Sequence, residues 1–293
     1  MKTLLCLFPV LALSLPARTQ EVAPAWHPPM FNRPTFSFGA GVLEYREHDF
    51  DLAPQLESHF SEPVFQYEFG WEFVAGNHDF YVNMEFFHTL EGTEKWKESG
   101  ETGQTNDLDI FRFGLEMGYM ASTWDRALPP PQLPEASQAV RFAGGLNHYY
   151  RHQHFERDNF VLFDPLPEAV DFESDEMFDM LGGEVVLELE FGPRHILAGF
   201  IRGKGGGGYV SVVNDIFDPY DDDAQINTAS VQGTVEVGIL SQFLPHVELR
   251  LGYRWHRLEV FGEDTTVDGV LLVELPDNTT EIHMGFLEAV FPF

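Results

Sequence analysis

The sequence predicts an all-β fold, a closed antiparallel transmembrane β-barrel of about ten strands, with about eight to twelve compatible with the pattern. Three observations carry this expectation. Ten segments alternate apolar and polar residues with a period of two, as strands do when one face meets lipid and the other a polar interior. The chain opens on an export leader. The connections between the segments run alternately long and short, as they do when turns are tight on the periplasmic side and loops are long outside.

Lys2 precedes an apolar run from Leu4 to Leu15, and small residues follow at Ala17, so residues 1–19 read as a secretory signal peptide. That run is too short for a spanning helix, and no later stretch approaches the roughly 20 apolar residues one requires. Membrane insertion must therefore be by strands. Cys6 lies inside the leader, leaving the mature chain without cysteine and without a disulfide framework. Residues 20–34, with Pro24, Pro28, Pro29 and Pro34, form a short periplasmic tail, and residues 35–293 form the barrel.

The first strand is expected over Thr35 to Glu47. The second sets Phe65, Tyr67, Phe69, Trp71 and Phe73 against Gln66, Glu68, Gly70 and Glu72, and a tight turn at Gly76-Asn77-His78-Asp79 follows. The third, Phe80 to Leu90, sets Phe80, Val82, Met84 and Phe86 against Tyr81, Asn83, Glu85 and Phe87. The fourth sets Phe111, Phe113, Leu115, Met117 and Tyr119 against Arg112, Gly114, Glu116 and Gly118. The fifth, near Ala139 to Arg151, is irregular beyond Arg141 and Phe142.

The sixth strand places Val185, Leu187, Leu189 and Phe191 opposite Glu184, Val186, Glu188 and Glu190. The seventh, about His195 to Lys204, is apolar on both faces, so its phase is unassigned. The eighth sets Val231, Val235, Val237 and Ile239 against Gln232, Thr234 and Glu236. The ninth sets Val247, Leu249, Leu251, Tyr253 and Trp255 against Glu248, Arg250, Gly252 and Arg254. The tenth, about Thr279 to Phe293, runs to the last residue with Leu287, Ala289, Phe291 and Phe293 on one face.

Outer connections are then 48–62, 91–106, 152–179, about 205–225 and 262–278, against inner ones of 76–79, 192–194 and 241–245. The Pro-rich segment 122–138 breaks the alternation. Trp71, Phe73, Phe80, Tyr119, Phe191 and Phe291 gather toward the inner rim, at the level where amphipathic rings favour lipid headgroups. A soluble β-sandwich core, or a lipocalin-like barrel with its faces reversed, would use the same alternation.

Formal net charge is −30, from 47 acidic and 17 basic residues, which argues against nucleic acid as a partner and in favour of cations. Aromatic content is 14% with 28 Phe, yet mean hydropathy is slightly negative. A barrel combines the two because only every second strand residue is apolar.

The terminal Leu287-Glu288-Ala289-Val290-Phe291-Pro292-Phe293, with the leader and the alternation, resembles the outer-membrane β-barrel proteins of Gram-negative bacteria. The resemblance covers nearly all of the mature chain. It implies the bacterial outer membrane as location, contact with outer-membrane lipid and lipopolysaccharide, and assembly by the barrel assembly machinery reading the strand that ends in Phe293. Pro292 departs from the usual terminal strand, although as penultimate residue it need not break the ladder. Such barrels serve as anchors, adhesins, narrow channels and enzymes, so the fold leaves function open.

The expected lumen carries Glu68, Glu72, Glu85, Glu116, Glu184, Glu188, Glu190, Glu236 and Glu248 with Arg112, Arg141, Arg250 and Arg254. A ten-stranded barrel is only slightly wider than one whose interior side chains fill it, so these charges are expected to pair and block flow; Arg112, Arg250 and Arg254 would take partners such as Glu116 and Glu248. The alternative is a narrow cation-preferring pore, since carboxylates are in surplus. Two acidic loops, one with Asp171, Glu173, Asp175, Glu176 and Asp179 and one with Asp215, Asp218, Asp221, Asp222 and Asp223, offer oxygen donors. Weak divalent-cation binding is assigned to Asp218, Asp221, Asp222 and Asp223, although neither loop has the spacing of a helix-loop-helix calcium site.

His152 and His154 point the same way if their segment stays extended, with His148 nearby, but no partner residue can be placed beside them. Asp107-x-Asp109 is similar to half of an omptin protease site, which pairs Asp-x-Asp with Asp-x-His to activate water; the second half is missing. No His-x-Ser suits a lipid hydrolase, and Gly203-Lys204-Gly205-Gly206-Gly207-Gly208 lacks the order of a phosphate loop and reads as a flexible strand exit. No cofactor is expected. The reading is a non-enzymatic structural or surface-interaction barrel with long acidic outer loops, then a narrow cation-preferring channel, then a membrane-embedded hydrolase.

Overall fold

The computed structural model describes residues 32–48, 57–75, 78–90, 94–96, 104–122, 138–161, 169–192, 196–214, 224–244, 247–267, 271–275 and 277–291. The expected leader, most of the tail, the Pro-rich segment 123–137 and the acidic segment 215–223 lie outside these residues.

Ten long strands build the barrel: β1 (Asn32–His48), β2 (Glu57–Ala75), β3 (His78–Thr89), β5 (Gln104–Ser122), β6 (Gln138–Val161), β7 (Ala169–Phe191), β8 (Ala198–Asn214), β9 (Ala224–Leu244), β10 (Val247–Val260) and β13 (Asp277–Val290). The short β4 (Glu94–Trp96) pairs with the start of β5, and β11 (Glu263–Val267) with β12 (Leu271–Leu275) makes a separate hairpin. Each barrel strand pairs antiparallel with its neighbour in the order β3-β2-β1-β13-β10-β9-β8-β7-β6-β5, and β3 pairs back onto β5. That last pairing leaves no free edge, which is the condition for spanning a membrane with strands.

Thr35 opposes Val290, so the first and last strands begin and end at the same rim. The close connections β2–β3, β7–β8 and β9–β10 lie there too, together with the long span 123–137 between β5 and β6, whereas β4 and the β11–β12 hairpin are at the opposite rim. The two rims are therefore periplasmic and outer. Gly192, at φ 106°, begins the β7–β8 turn in a conformation that favours glycine.

Outward positions are apolar through the middle of the wall. Phe36, Phe38, Phe69, Trp71, Leu187, Val237 and Leu251 all face away from the interior. On β7 the apolar row runs from Leu181 to Phe191, matching the roughly 9–11 residues of a tilted membrane-crossing strand. At the inner rim Trp71, Phe73, Phe80 and Tyr119 form a row of ring contacts across β2, β3 and β5, with centroids 6.4, 5.8 and 6.2 Å apart. With an apolar exterior and buried ion pairs inside, the solvent order of a soluble barrel is inverted, as in a barrel that spans a membrane.

Three expectations about the elements are corrected. β8 does not end at Lys204: the glycine run is paired on both sides, with β7 from Gly203↔Leu187 to Gly208↔Gly182 and with β9 throughout. Its inward glycines are required by close approach, because a Cβ on Gly206 would stand 2.4 Å from the Gly183 carbonyl oxygen and one on Gly208 2.3 Å from that of Leu181. Second, β6 and β7 pair from Gln138↔Phe191 up to Val161↔Ala169, so most of the loop expected at 152–179 is a tall hairpin. Third, β13 ends at Val290; the last rung is the Phe291 N–H donating to the Pro34 carbonyl (2.9 Å), and residues 292–293 lie outside the described residues.

Candidate functional site

The lumen is stratified. Nearest the inner rim, arginines and glutamates from eight strands form one continuous ion-pair network. Arg33 bridges Glu72 (3.2 Å) and Glu248 (3.1 Å), and Arg141 bridges Glu72 (2.5 Å) and Glu188 (3.1 Å). Arg250, with no solvent exposure, reaches Glu248 (2.7 Å), Glu188 (3.1 Å) and Glu190 (3.1 Å). Arg202 reaches Glu188 (2.6 Å), Glu236 (3.0 Å) and Glu288 (3.5 Å), while Arg254 holds Glu68 (2.6 Å) and Glu236 (2.7 Å). The period of two explains the assembly: each of these residues sits in the inward phase of its strand. Planar guanidinium forks let one arginine join two or three carboxylates.

Above this layer, a cavity of about 140 Å³ is bounded by side chains including Ser37, Glu68, Tyr81, Arg202, Lys204 and Glu236. Its upper wall is a second polar cluster. Lys204 contacts Glu116 and Glu184, and Glu116 also accepts from Tyr149 and Asn83. Glu184 accepts from Tyr81 (2.8 Å) and Asn147 (3.3 Å). Arg112 lies 3.3 Å from Glu85 and 3.9 Å from the centroid of the Tyr149 ring, and donates to His256 Nε2 at 3.0 Å. Arginine has no acceptor, so His256 Nε2 carries no proton and Nδ1 is left to donate to Thr234 Oγ1 (2.9 Å).

The outer half of the lumen carries two buried apolar clusters with polar side chains threaded between them. Leu43, Tyr45, Val64, Phe87, Leu108, Ile110, Ile282 and Met284 form one buried cluster, and Tyr149, Phe178, Met180, Val210, Val212, Ile226, Leu258 and Val260 another. Arg151 crosses this region with its guanidinium 3.9 Å from the Phe178 ring centroid, donating to Thr280 (3.1 Å) and Asn278 (3.4 Å). Gln153 joins Tyr45 (3.0 Å) to Glu176 (3.1 Å). These apolar side chains occupy the interior between the polar layers and the outer rim.

The structure places all of Glu68, Glu72, Glu85, Arg112, Glu116, Arg141, Glu184, Glu188, Glu190, Glu236, Glu248, Arg250 and Arg254 in the lumen. Of the three arginines expected to meet carboxylates such as Glu116 and Glu248, Arg250 takes Glu248, Arg254 takes Glu68 and Glu236, and Arg112 lies against Glu85 and His256, while Glu116 is held by Lys204. Arg33, Arg202, Lys204 and Glu288 belong to the network unannounced. Arg33 precedes the expected start of the barrel, and Arg202 and Lys204 lie on the strand whose phase was unreadable among glycines. The signal for Glu288 was present, since it alternates with outward Leu287 and Ala289.

On the exterior above the apolar band, His148 Nε2 lies 2.6 Å from Asp179, and both His152 and His154 contact Asp175. Asp109 also faces outward, accepting from Thr89 Oγ1 at 3.1 Å. Asp218, Asp221, Asp222 and Asp223 lie outside the described residues.

No protein-family model and no curated protein matches this sequence. Solved structures are similar in fold. The outer-membrane protease OmpT from Escherichia coli aligns with 90% of this chain and 97% of its own at 11% identity, with a TM-score of 0.50. The fold is that of a Gram-negative outer-membrane β-barrel. The translocator domain of the autotransporter NalP from Neisseria meningitidis (8% identity, 90% and 89% coverage, TM-score 0.42) and Ail of Yersinia pestis (9%, 89% and 99%, TM-score 0.27) are more distant in shape. At such identity the likeness extends to the fold alone, which enzymes and non-enzymes share.

Proposed function

We propose that this chain is a non-enzymatic outer-membrane barrel, a structural and surface-interaction protein with its lumen closed and its tall, acidic outer strands and loops directed to the exterior. The observation that carries this reading is the stacked filling of the lumen. Side chains with no solvent exposure, among them Leu43, Tyr45, Leu108, Ile110 and Phe178, occupy the outer half above an ion-paired inner half. Partners on this reading are outer-membrane lipid around the apolar band, lipopolysaccharide phosphates at the outer rim bridged by divalent cations, and the barrel assembly machinery through the C-terminal strand. Against hydrolysis stands the position of Asp109, which is turned outward onto Thr89 without an Asp-x-His among the described residues.

The surplus of carboxylates in the inner lumen favours one competitor, a narrow cation-preferring channel. Single-channel recording in planar bilayers separates the two. The purified barrel is expected to give no discrete steps in potassium chloride, whereas cation-selective steps from the unmodified protein would replace this reading with the channel.

A further inference from the structure

His152 and His154 stand two residues apart on β6, so an extended backbone sends both side chains to one face. That face is the exterior. Leu146 is the last aliphatic side chain of the row before His148, Tyr150, His152 and His154, which puts the pair at the outer edge of the apolar band, with His152 level with outward Phe111 and Met177. Across the ladder, His152 Nε2 lies 3.2 Å and His154 Nδ1 2.9 Å from one and the same atom, Oδ1 of Asp175 on β7. Asp109 on β5 is paired with His154, and His154 with Asp175, so three strands contribute to one row.

We propose that His152, His154 and Asp175 form a surface site for a divalent transition-metal ion of the zinc, copper or nickel class, with Asp109 or water completing its coordination. Two imidazoles and a carboxylate suit these ions, whereas calcium and magnesium take oxygen donors. Ligands about 2.1 Å from a tetrahedral zinc ion stand about 3.4 Å from one another, so the three side chains need only a small opening from their present separations to take an ion. Among the described residues no group of three or more His, Cys, Asp or Glu side chains is arranged to hold a metal ion as it stands, so the site forms only when these side chains move. Here the Asp175 oxygen occupies the point on which the two rings converge, and rotating that carboxylate aside yields the place to the ion. The three side chains are 41%, 27% and 38% exposed, so a hydrated ion arrives without any opening of the barrel. The acidic surface raises the local concentration of cations.

The site is independent of whether the lumen conducts. It is tested on the untagged, folded barrel, stripped with chelator and titrated with zinc by calorimetry, and loaded with copper for electron paramagnetic resonance. One zinc ion per chain and copper coupling to two imidazole nitrogens are expected. His152→Ala and His154→Ala should each weaken zinc binding by about tenfold or more, given that even supporting residues of metal sites carry roughly 10–100-fold. His148→Ala, which removes a separate pair with Asp179, should leave it unchanged, and excess magnesium should not compete. Heat-modifiable gel mobility checks that each variant is folded. Absence of saturable zinc binding by the folded parent, or binding that survives the combined His152→Ala/His154→Ala change, overturns the assignment.

Discussion

Arg250 has three carboxylates on its guanidinium and no solvent exposure, so its neighbours rely on it for part of their charge compensation. A buried ion pair adds little over well-packed apolar groups, but removing one member strands the rest, at a cost of about 3–5 kcal/mol. Arg250→Ala is therefore expected to lower unfolding free energy by about that amount, measured by urea titration of the barrel in detergent micelles. Adding Glu190→Gln removes one of the stranded charges and should recover part of the loss; a double variant as unstable as the sum of the singles would show that the two do not interact. Glu188 shows why the network behaves as a unit, since Arg141, Arg202 and Arg250 all converge on it from three different strands. Asp175 is the counterpart outside: two imidazoles meet one carboxylate in water rather than in the lumen, so their pairing is weak and exchangeable for an ion.

The strand is the scale at which sequence and structure agree best, because the period of two is written directly into residues such as Phe65 through Phe73 on β2. Phe69 is outward and 44% exposed, opposite Phe36 and Met84 on the neighbouring strands. Phe69→Arg is expected to destabilise the folded barrel by about 2–4 kcal/mol, the range for arginine near the bilayer midplane. Unchanged unfolding in lipid vesicles would mean that Phe69 does not meet hydrocarbon. Gly206→Val tests the opposite side of the wall, where a side chain must displace the Gly183 carbonyl; it should abolish the heat-modifiable folded band. Strand facing and most of the inner charge layer were legible because Glu and Arg interrupt aliphatic rows at alternate positions. The apolar clusters of the outer lumen were not, since Leu43, Phe178 and Val212 are apolar on the inward face and alternation distinguishes only polar from apolar. β8 was unreadable for a related reason: glycine has no side chain to mark a face, and it took the pairing with β7 and β9 to show Arg202 and Lys204 pointing inward. Strand height escaped as well, because in the upper parts of β6 and β7 polar and apolar residues no longer alternate strictly, as in Arg151-His152-Gln153-His154, and the period of two is lost.

At the scale of the whole molecule, the proposed lipopolysaccharide contact would bring a formal charge of −30 beside a leaflet rich in phosphate, and the described outer rim would give those phosphates little unpaired positive charge. Arg257 lies between Glu281 (3.1 Å) and Glu259 (3.3 Å), Arg46 is joined to Glu44 (3.1 Å), and His148 faces Asp179. Two anionic surfaces in contact repel unless a cation stands between them. Hard divalent ions with oxygen ligands are suited to that position, and on the proposed reading the carboxylates of 215–223 would supply the protein's oxygens. Magnesium or calcium is therefore expected to raise the melting temperature of the purified barrel and its association with lipopolysaccharide, while sodium at matched ionic strength does so less. The comparison at equal ionic strength matters because screening alone weakens repulsion for either salt. Replacing Asp221, Asp222 and Asp223 together with Asn should narrow the gap between calcium and sodium. It should leave zinc binding at His152 and His154 untouched, which keeps the two cation assignments separable. Equal responses to calcium and sodium in the unmodified protein would reduce the acidic segments to a solvated surface, and the proposed contact with lipopolysaccharide would lose its bridge.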